Sequence, residues 1–370
     1  MNLSYWEYQT WLSNIDFTVV GSGIVGLNCA LYLKKMYPAA KILVLEKGPL
    51  PQGASTKNAG FACFGSISEI LADLKLHAAD EVKELVQKRW NGIQLLRENL
   101  GDINIDFQQH GGHELFLETH NILYQRCLDT LDEVNRLLLP VFGAKAFEPH
   151  ENSFNFKNIQ EKYITNRFEA QIDTGKMMSG LLRLALKSGI TILNSISVEE
   201  FVENQDTVVV KTKQFEFHTR KLYVATNGFA SQLLKEKIKP ARAQVLITKP
   251  IKNLHIKGTF HLDEGYYYFR NIDDRILFGG GRNLDFKGEE TTKFGATELI
   301  QNQLETILSE SILPNTPHEI ERRWSGIMGM GHQKKPIVKQ LSNNVYCGVR
   351  LGGMGIAIGS LVGKELAELM

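Results

Sequence analysis

This chain is short of cysteine, of net charge and of long apolar runs. Its four cysteines, Cys29, Cys63, Cys127 and Cys347, are scattered and form no C-x-x-C pair. That spacing argues against a disulfide framework or a zinc site and fits a reducing compartment. The formal net charge is +1, so no excess of one sign recommends nucleic acid or an anionic membrane as a partner. There are no internal repeats and no low-complexity linker. One uncharged stretch, residues 17–33, has the look of a signal core or a short span. Glu7 and Asp16 precede it where a basic region belongs, and its glycines read better as ligand-binding. A cytoplasmic protein without a transmembrane segment is expected. With 370 residues, 43% of them hydrophobic, the chain is long enough for two domains.

What is present is concentrated near the two termini. Phe17-Thr18-Val19-Val20 reads as a buried strand, Gly21-Ser22-Gly23-Ile24-Val25-Gly26 as G-x-G-x-x-G, residues 27–35 as a helix, and Ile42 to Leu45 as a second strand closed by Glu46. A dinucleotide needs this order. Gly21 permits the turn, Gly23 lets the backbone approach a pyrophosphate, and Gly26 lets the helix pack close to the sheet. The helix N-terminus then offers free N–H groups to phosphate, and an acid about 20 residues on accepts from ribose hydroxyls.

Two further stretches fit the same ligand. Gly53-Ala54-Ser55-Thr56-Lys57-Asn58-Ala59-Gly60-Phe61 is a small, polar loop able to lay hydroxyls and N–H groups on a pyrophosphate. Near the C-terminus, Arg350-Leu351-Gly352-Gly353-Met354-Gly355-Ile356 runs from a strand through glycines into the last helix, whose positive end suits a developing anion. Two glycine-to-helix turns at opposite ends of one chain favour a long, two-ended cofactor. NAD alone leaves the second turn unexplained.

These motifs, with Val224-Ala225-Thr226-Asn227-Gly228, resemble the flavin-dependent amine and amino-acid oxidoreductases of the D-amino-acid oxidase and glycine/sarcosine oxidase superfamily. Residues 266–281, Tyr-Tyr-Tyr-Phe-Arg…Arg-Ile-Leu-Phe-Gly-Gly-Gly, are similar to the substrate-domain hairpin of γ-glutamylputrescine-oxidase-like members. The resemblance covers nearly the whole chain. It implies FAD, with Gly21, Gly23, Ile24, Val25, Gly26, Ser55 and Thr56 on the pyrophosphate side and Glu46 and Lys47 at the adenosine ribose. Val198 would meet adenine through its backbone. Lys57, Asn58, Gly60 and Phe61 would lie beside the isoalloxazine, with Thr226 and Gly228 at a neighbouring strand end. Gly352 and Gly353 to Ile356, with Met354 and Gly355 between, would hold the pyrimidine edge. Sarcosine oxidases carry a flavin-linking cysteine before the C-terminal strand. Residues 325–331 have none here, so FAD is expected to be non-covalent.

The resemblance also implies an α/β fold in which a Rossmann-like FAD-binding domain (15–100, 150–235 and 335–370) is interleaved with a substrate domain of antiparallel sheet plus helices (101–149 and 236–334). Residues 1–14, rich in aromatics, would pack on the surface. The implied reaction is oxidation of an amine or amino acid. Hydride passes from Cα–H to flavin N5, the imine hydrolyses, and oxygen or another acceptor reoxidises the flavin. Hydroxyl oxidation in the manner of glycerol-3-phosphate dehydrogenases, and a flavin module without turnover, are the alternatives.

For the substrate, period two puts Tyr266, Tyr268 and Arg270 on one strand face, where two phenols and a guanidinium can grip a carboxylate. Lys57 and Arg350 are further candidates. His110-Gly111-Gly112-His113 invites a metal reading, but residues three apart in a strand point to opposite faces, and no metal is expected.

Overall fold

The computed structural model describes residues 2–370. Its central layer is made of short apolar strands buried on both faces, the composition a parallel sheet covered by helices requires. Val345–Val349, Glu216–Val224, Ile15–Val20, Ile42–Leu45 and Thr191–Leu193 lie side by side and parallel, with Ile337–Gln340 antiparallel at one edge. Val208–Thr212 pairs antiparallel with Glu216–Val224 and carries Val198–Glu203 on its other side. Val20 is in register with both Leu45 and Val224, and Val224 with Cys347. The strand ends therefore align, and Gly21, Glu46 and Ala225 leave the sheet at one carboxyl edge, where open α/β sheets bind ligands.

Helices Ile24–Met36 and Gly355–Ala367, from opposite ends of the sequence, cover this sheet together. They meet through glycines. A Cβ on Gly359 would stand 2.6 Å from Ile24 Cγ2, and one on Gly363 would stand 2.6 Å from the Val25 carbonyl oxygen. Backbone-to-backbone packing of this kind holds the two helix N-termini beside one another.

The second sheet runs Ile320–Met330, Lys239–Thr248, Arg275–Gly280, Tyr267–Ile272, Thr259–Leu262, Gly112–Glu114, Lys162–Asn166, Phe147–Glu151. Its pairs are antiparallel except Thr259–Leu262 with Gly112–Glu114. One face packs on an aromatic core in which Phe260 and Phe269 stack with centroids 4.5 Å apart. The strands at 147–151 and 162–166 belong to this sheet although they straddle the boundary drawn at residue 150, so the chain returns to the first layer after Asn166.

Residues 67–100 form two helices, Ile67–Leu74 and Ala79–Leu100, the first opened by a capping box between Ser66 and Glu69. A helical turn, Asp102–Ile105, follows, bracketed by Gly101 at φ 81° and Asp106 at φ 52°. The helix Thr174–Lys187 is capped by Asp173, whose carboxylate accepts from Lys176 N at 2.8 Å. In the N-terminal segment Leu12 is buried, while Tyr5 and Trp6 are 69% and 74% exposed. Among the described residues no helix is long and apolar enough to cross a membrane.

Candidate functional site

A continuous cavity of about 720 Å³ runs from the carboxyl edge of the first sheet to one face of the second. At its first end, Gly21, Gly23, Ile24 and Val25 form the wall where the strand turns into the helix. Gly26 does not reach the cavity. A Cβ there would lie 1.9 Å from the Gly21 carbonyl oxygen, so its part is the close packing of helix on turn. Glu46 is buried, and Lys47 lies beside it in the wall. The Glu46 carboxylate accepts from Ser22 N (3.1 Å) and Ser22 Oγ (2.7 Å) through Oε2, and from Gly48 N (3.0 Å) through Oε1. These donors fix its orientation at the mouth of the turn. Val198, the first residue of its strand, also lines this end.

The loop at 53–61 folds over the helix N-terminus. Ser55 Oγ accepts from Ile24 N at 3.0 Å, which leaves its own proton for a ligand oxygen. Thr56 is outside the cavity; its hydroxyl donates to the carbonyls of Pro51 (2.6 Å) and Gly53 (3.2 Å) and braces the loop. Asn58 lines the cavity and braces the loop as well, donating to Ala54 O and Ser55 O and accepting from Gly60 N at 2.8 Å. Gly60 and Phe61 are in the wall, as is Lys57, whose Nζ sits 5.2 Å from the Phe294 ring centroid.

At the other end, Gly352, Gly353, Met354, Gly355 and Ile356 line the cavity at the N-terminus of the last helix. Arg350 is there too, with φ 63°; its Nε and Nη2 donate to the Lys335 carbonyl. Thr226 lines the middle of the cavity. Gly228 does not, being pressed against the strand at Met328, whose carbonyl oxygen would be 2.5 Å from a Cβ there.

The face of the second sheet closes the far wall. Tyr266 and Tyr268 line it, the Tyr268 hydroxyl pushed up to about 12 by burial. Arg270 does not. The strand continues past the cavity, and its guanidinium lies under the turn at Gly60, donating to the Ile172 carbonyl at 2.9 Å. Burial lowers its pKa to about 10, against the pull of Asp173, Asp106 and Asp273. Period two gave the correct side of the strand but not where the cavity ends. Beside Tyr266 the wall carries Arg282, stacked on Phe286, while Arg89 and Arg350 line it elsewhere.

Sequence reasoning missed His261. It lies directly across from Tyr268 and lines the cavity with only 5% of its surface exposed. A histidine at the alternate position of the apolar strand Thr259–Leu262 was the available signal. His113, by contrast, is buried against Thr165 Oγ1 at 2.8 Å, and burial takes its pKa down to about 3. Among the described residues, Cys63, Glu169 and His261 place three donor atoms within 4.8 Å of one another. Burial drives the Cys63 thiol well above the usual range, and Glu169 and His261 already face each other at 3.4 Å. The group is a carboxylate–imidazole pair beside a neutral thiol.

The cavity fits FAD on its own chemistry. Thr226 Oγ1 is buried in the wall without a partner. Two helix N-termini, from opposite ends of the chain, face the cavity, and nothing lies within 4 Å of where a Cβ on Gly352 would be. A two-ended anionic ligand with a pyrophosphate answers all three features.

The comparisons agree. The family model described as "DAO: FAD dependent oxidoreductase" matches residues 16–369. The chain is 24% identical to the γ-glutamylputrescine oxidoreductase of Escherichia coli, over 96% of this chain and 83% of that protein. It is 24% identical to a sarcosine oxidase subunit beta of Rhodobacter capsulatus, over 99% and 88%. In structure it resembles glycine oxidase from Bacillus cereus, with a TM-score of 0.75 at 15% identity, covering 96% of this chain and 94% of that one.

Proposed function

The chain belongs to the DAO family of FAD-dependent oxidoreductases, and from that premise we propose that it oxidises an amine or amino acid at the carbon bearing nitrogen. FAD, when bound, supplies the hydride acceptor. The chain's own residues bind the cofactor at both ends, present the substrate's Cα to it and keep water away.

The observation that carries the amine reading is the balance of charge at the second-sheet end. Two cations there are already engaged: Lys334 pairs with Asp73 at 2.6 Å, and Arg89 donates to the Phe64 carbonyl. Among the described residues, the unpaired cations Lys57 and Arg282 stand against separate rings, Phe294 and Phe286, and form no paired basic cluster of the kind a substrate phosphate needs, which disfavours the hydroxyl-oxidising alternative. Glu69 and Glu264 line the same wall beside Tyr266 and Tyr268. Carboxylates and aromatic rings suit a cationic amine. Arg282 takes the carboxylate of an amino-acid substrate in place of Arg270.

FAD is held without a covalent link. Residues 326–331 line the cavity and contain no cysteine, and Cys63, the cysteine in the wall, carries a protonated thiol. Acid precipitation should leave the yellow colour in the supernatant. The reading is tested by an anaerobic panel of D-amino acids, N-methyl amino acids, polyamine derivatives and hydroxy acids. Loss of flavin absorbance with an amine is expected. Bleaching by hydroxy compounds alone, or by nothing, overturns it.

A further inference from the structure

Glu114, His261 and Tyr268 are register partners on three neighbouring strands, so their side chains share the face that meets the cavity. The His261 ring is edge-on to Phe61 at 5.3 Å. Behind it, Glu169 is 1% exposed and holds Oε2 3.4 Å from His261 Nε2. Glu169 is itself fixed, because Oε1 accepts from Phe64 N at 2.9 Å and Gly65 N at 3.4 Å. The strand beside it makes room: a Cβ on Gly112 would stand 1.8 Å from Glu169 Oε2. One imidazole nitrogen thus faces a buried carboxylate oxygen at 3.4 Å, and neither atom has another partner among the described residues. Among them no hydrogen bond is formed at the other, Nδ1. The fold has spent a buried acid and a glycine on orienting one histidine in the wall of a substrate cavity.

We propose that His261 accepts the proton of the substrate's ammonium group, with Glu169 as the positioning residue that holds Nε2–H and aims the ring. The substrate N–H bond breaks and an N–H bond forms at Nδ1. The electron pair of the broken bond stays on the substrate nitrogen as the lone pair that oxidation at Cα requires. The proton leaves His261 for solvent afterwards. This rests on the amine-oxidation reading above, whose redox step is unchanged.

The surroundings favour a proton on this ring. Burial disfavours the imidazolium, but the hydrogen bond and charge of Glu169, with the charges of Glu69 and Glu114, outweigh burial and raise the pKa of His261. The other groups that face it are neutral: Tyr268 on the neighbouring strand and the Cys63 thiol; His113 lies on the opposite face of the sheet and is neutral as well. Arg89, the cation on this side, is engaged with the Phe64 carbonyl. The accepting form is neutral His261. Its population grows as pH rises through that raised pKa, so turnover of an ammonium substrate climbs with pH, with a midpoint above the ordinary 6.5.

The test uses the FAD-loaded enzyme with ring-labelled histidine. One imidazole resonance, absent in His261→Gln, should titrate above 6.5 in the wild type and move to lower pH in Glu169→Gln, where burial acts without the carboxylate. The acid limb of kcat/KM should follow it. That limb should keep its midpoint when the substrate is exchanged for one whose amine has a different pKa. His261→Gln should lose the limb and about 100-fold or more of the plateau, with FAD content intact. A resonance that does not titrate between about pH 5 and about pH 9, whether buried neutral or held by a metal ion, overturns the proposal. So does a limb that survives His261→Gln. If no amine bleaches the wild-type flavin, the amine-oxidation reading fails instead, while the resonance still reports the His261–Glu169 pair.

Discussion

A Cβ at Gly26 would stand 1.9 Å from the Gly21 carbonyl oxygen. The neighbour is backbone and has no rotamer to give, so the first turn of the helix Ile24–Met36 must move away from the strand end. Gly26→Ala should destabilise the protein by about 3 kcal/mol, the upper end of overpacking costs, and lower FAD content in parallel. Chemical denaturation and the ratio of flavin to protein absorbance read the two effects.

This turn was legible in the sequence because everything it needs lies within one segment. Residues 17–46 hold strand, glycines, helix, strand and acid in order, and the structure adds only that Glu46 is steadied by Ser22. The C-terminal turn was legible for the same reason. His261 and Glu114 are brought together by the register of the second sheet, and Glu169 by the loop after Asn166, and no local pattern announces that. The packing of Gly359 and Gly363 against Ile24 and Val25 is equally non-local. Arg270 shows the limit of periodicity: alternation fixed its face, but a cavity boundary is a property of neighbouring loops, here the turn at Gly60.

Thr226 offers a substitution with opposite effects on protein and complex. Its hydroxyl is buried and unpartnered, so Thr226→Val removes a polar group that the protein alone does not satisfy. Stability without FAD should hold or rise slightly, while FAD affinity falls by about 1 kcal/mol, the net worth of one hydrogen bond. Thermal unfolding without FAD and equilibrium FAD binding separate the terms.

Two arginines should divide stability from substrate binding. Arg270 is buried and ties the Ile172 carbonyl, so Arg270→Ala should cost about 3 kcal/mol of stability through lost packing and an unpaired carbonyl. Arg282 lines the cavity, so Arg282→Ala should raise KM for carboxylated substrates at least tenfold with stability little changed. Steady-state kinetics beside denaturation curves decide between them.

Glu114 makes stability depend on pH. It is fully buried, and burial raises its pKa to about 7 from 4.5, against the hydrogen bonds from Ser68. Below 4.5 both folded and unfolded forms are neutral there. As pH rises the unfolded carboxyl ionises first, so stability is lost through the interval up to 7, by about 3 kcal/mol. Glu114→Gln stays neutral and still meets Ser68. It should match the wild type near pH 4 and exceed it by about that amount at pH 8 in urea unfolding.

The central claim is that one flavin nucleotide is gripped at both ends by two glycine turns from opposite ends of the chain. It is tested by the FAD affinity of the wild type, Gly23→Val and Gly353→Val, each with ADP as competitor. Gly23 faces Ser55 Oγ, 2.9 Å from its would-be Cβ, and Gly353 lines the cavity at the last helix. The wild type should carry one FAD per chain. Both variants should lose at least about tenfold in affinity, and Gly23→Val alone should escape competition by ADP. Purified protein that is colourless and takes up no FAD, or two variants that bind FAD as the wild type does, would contradict it.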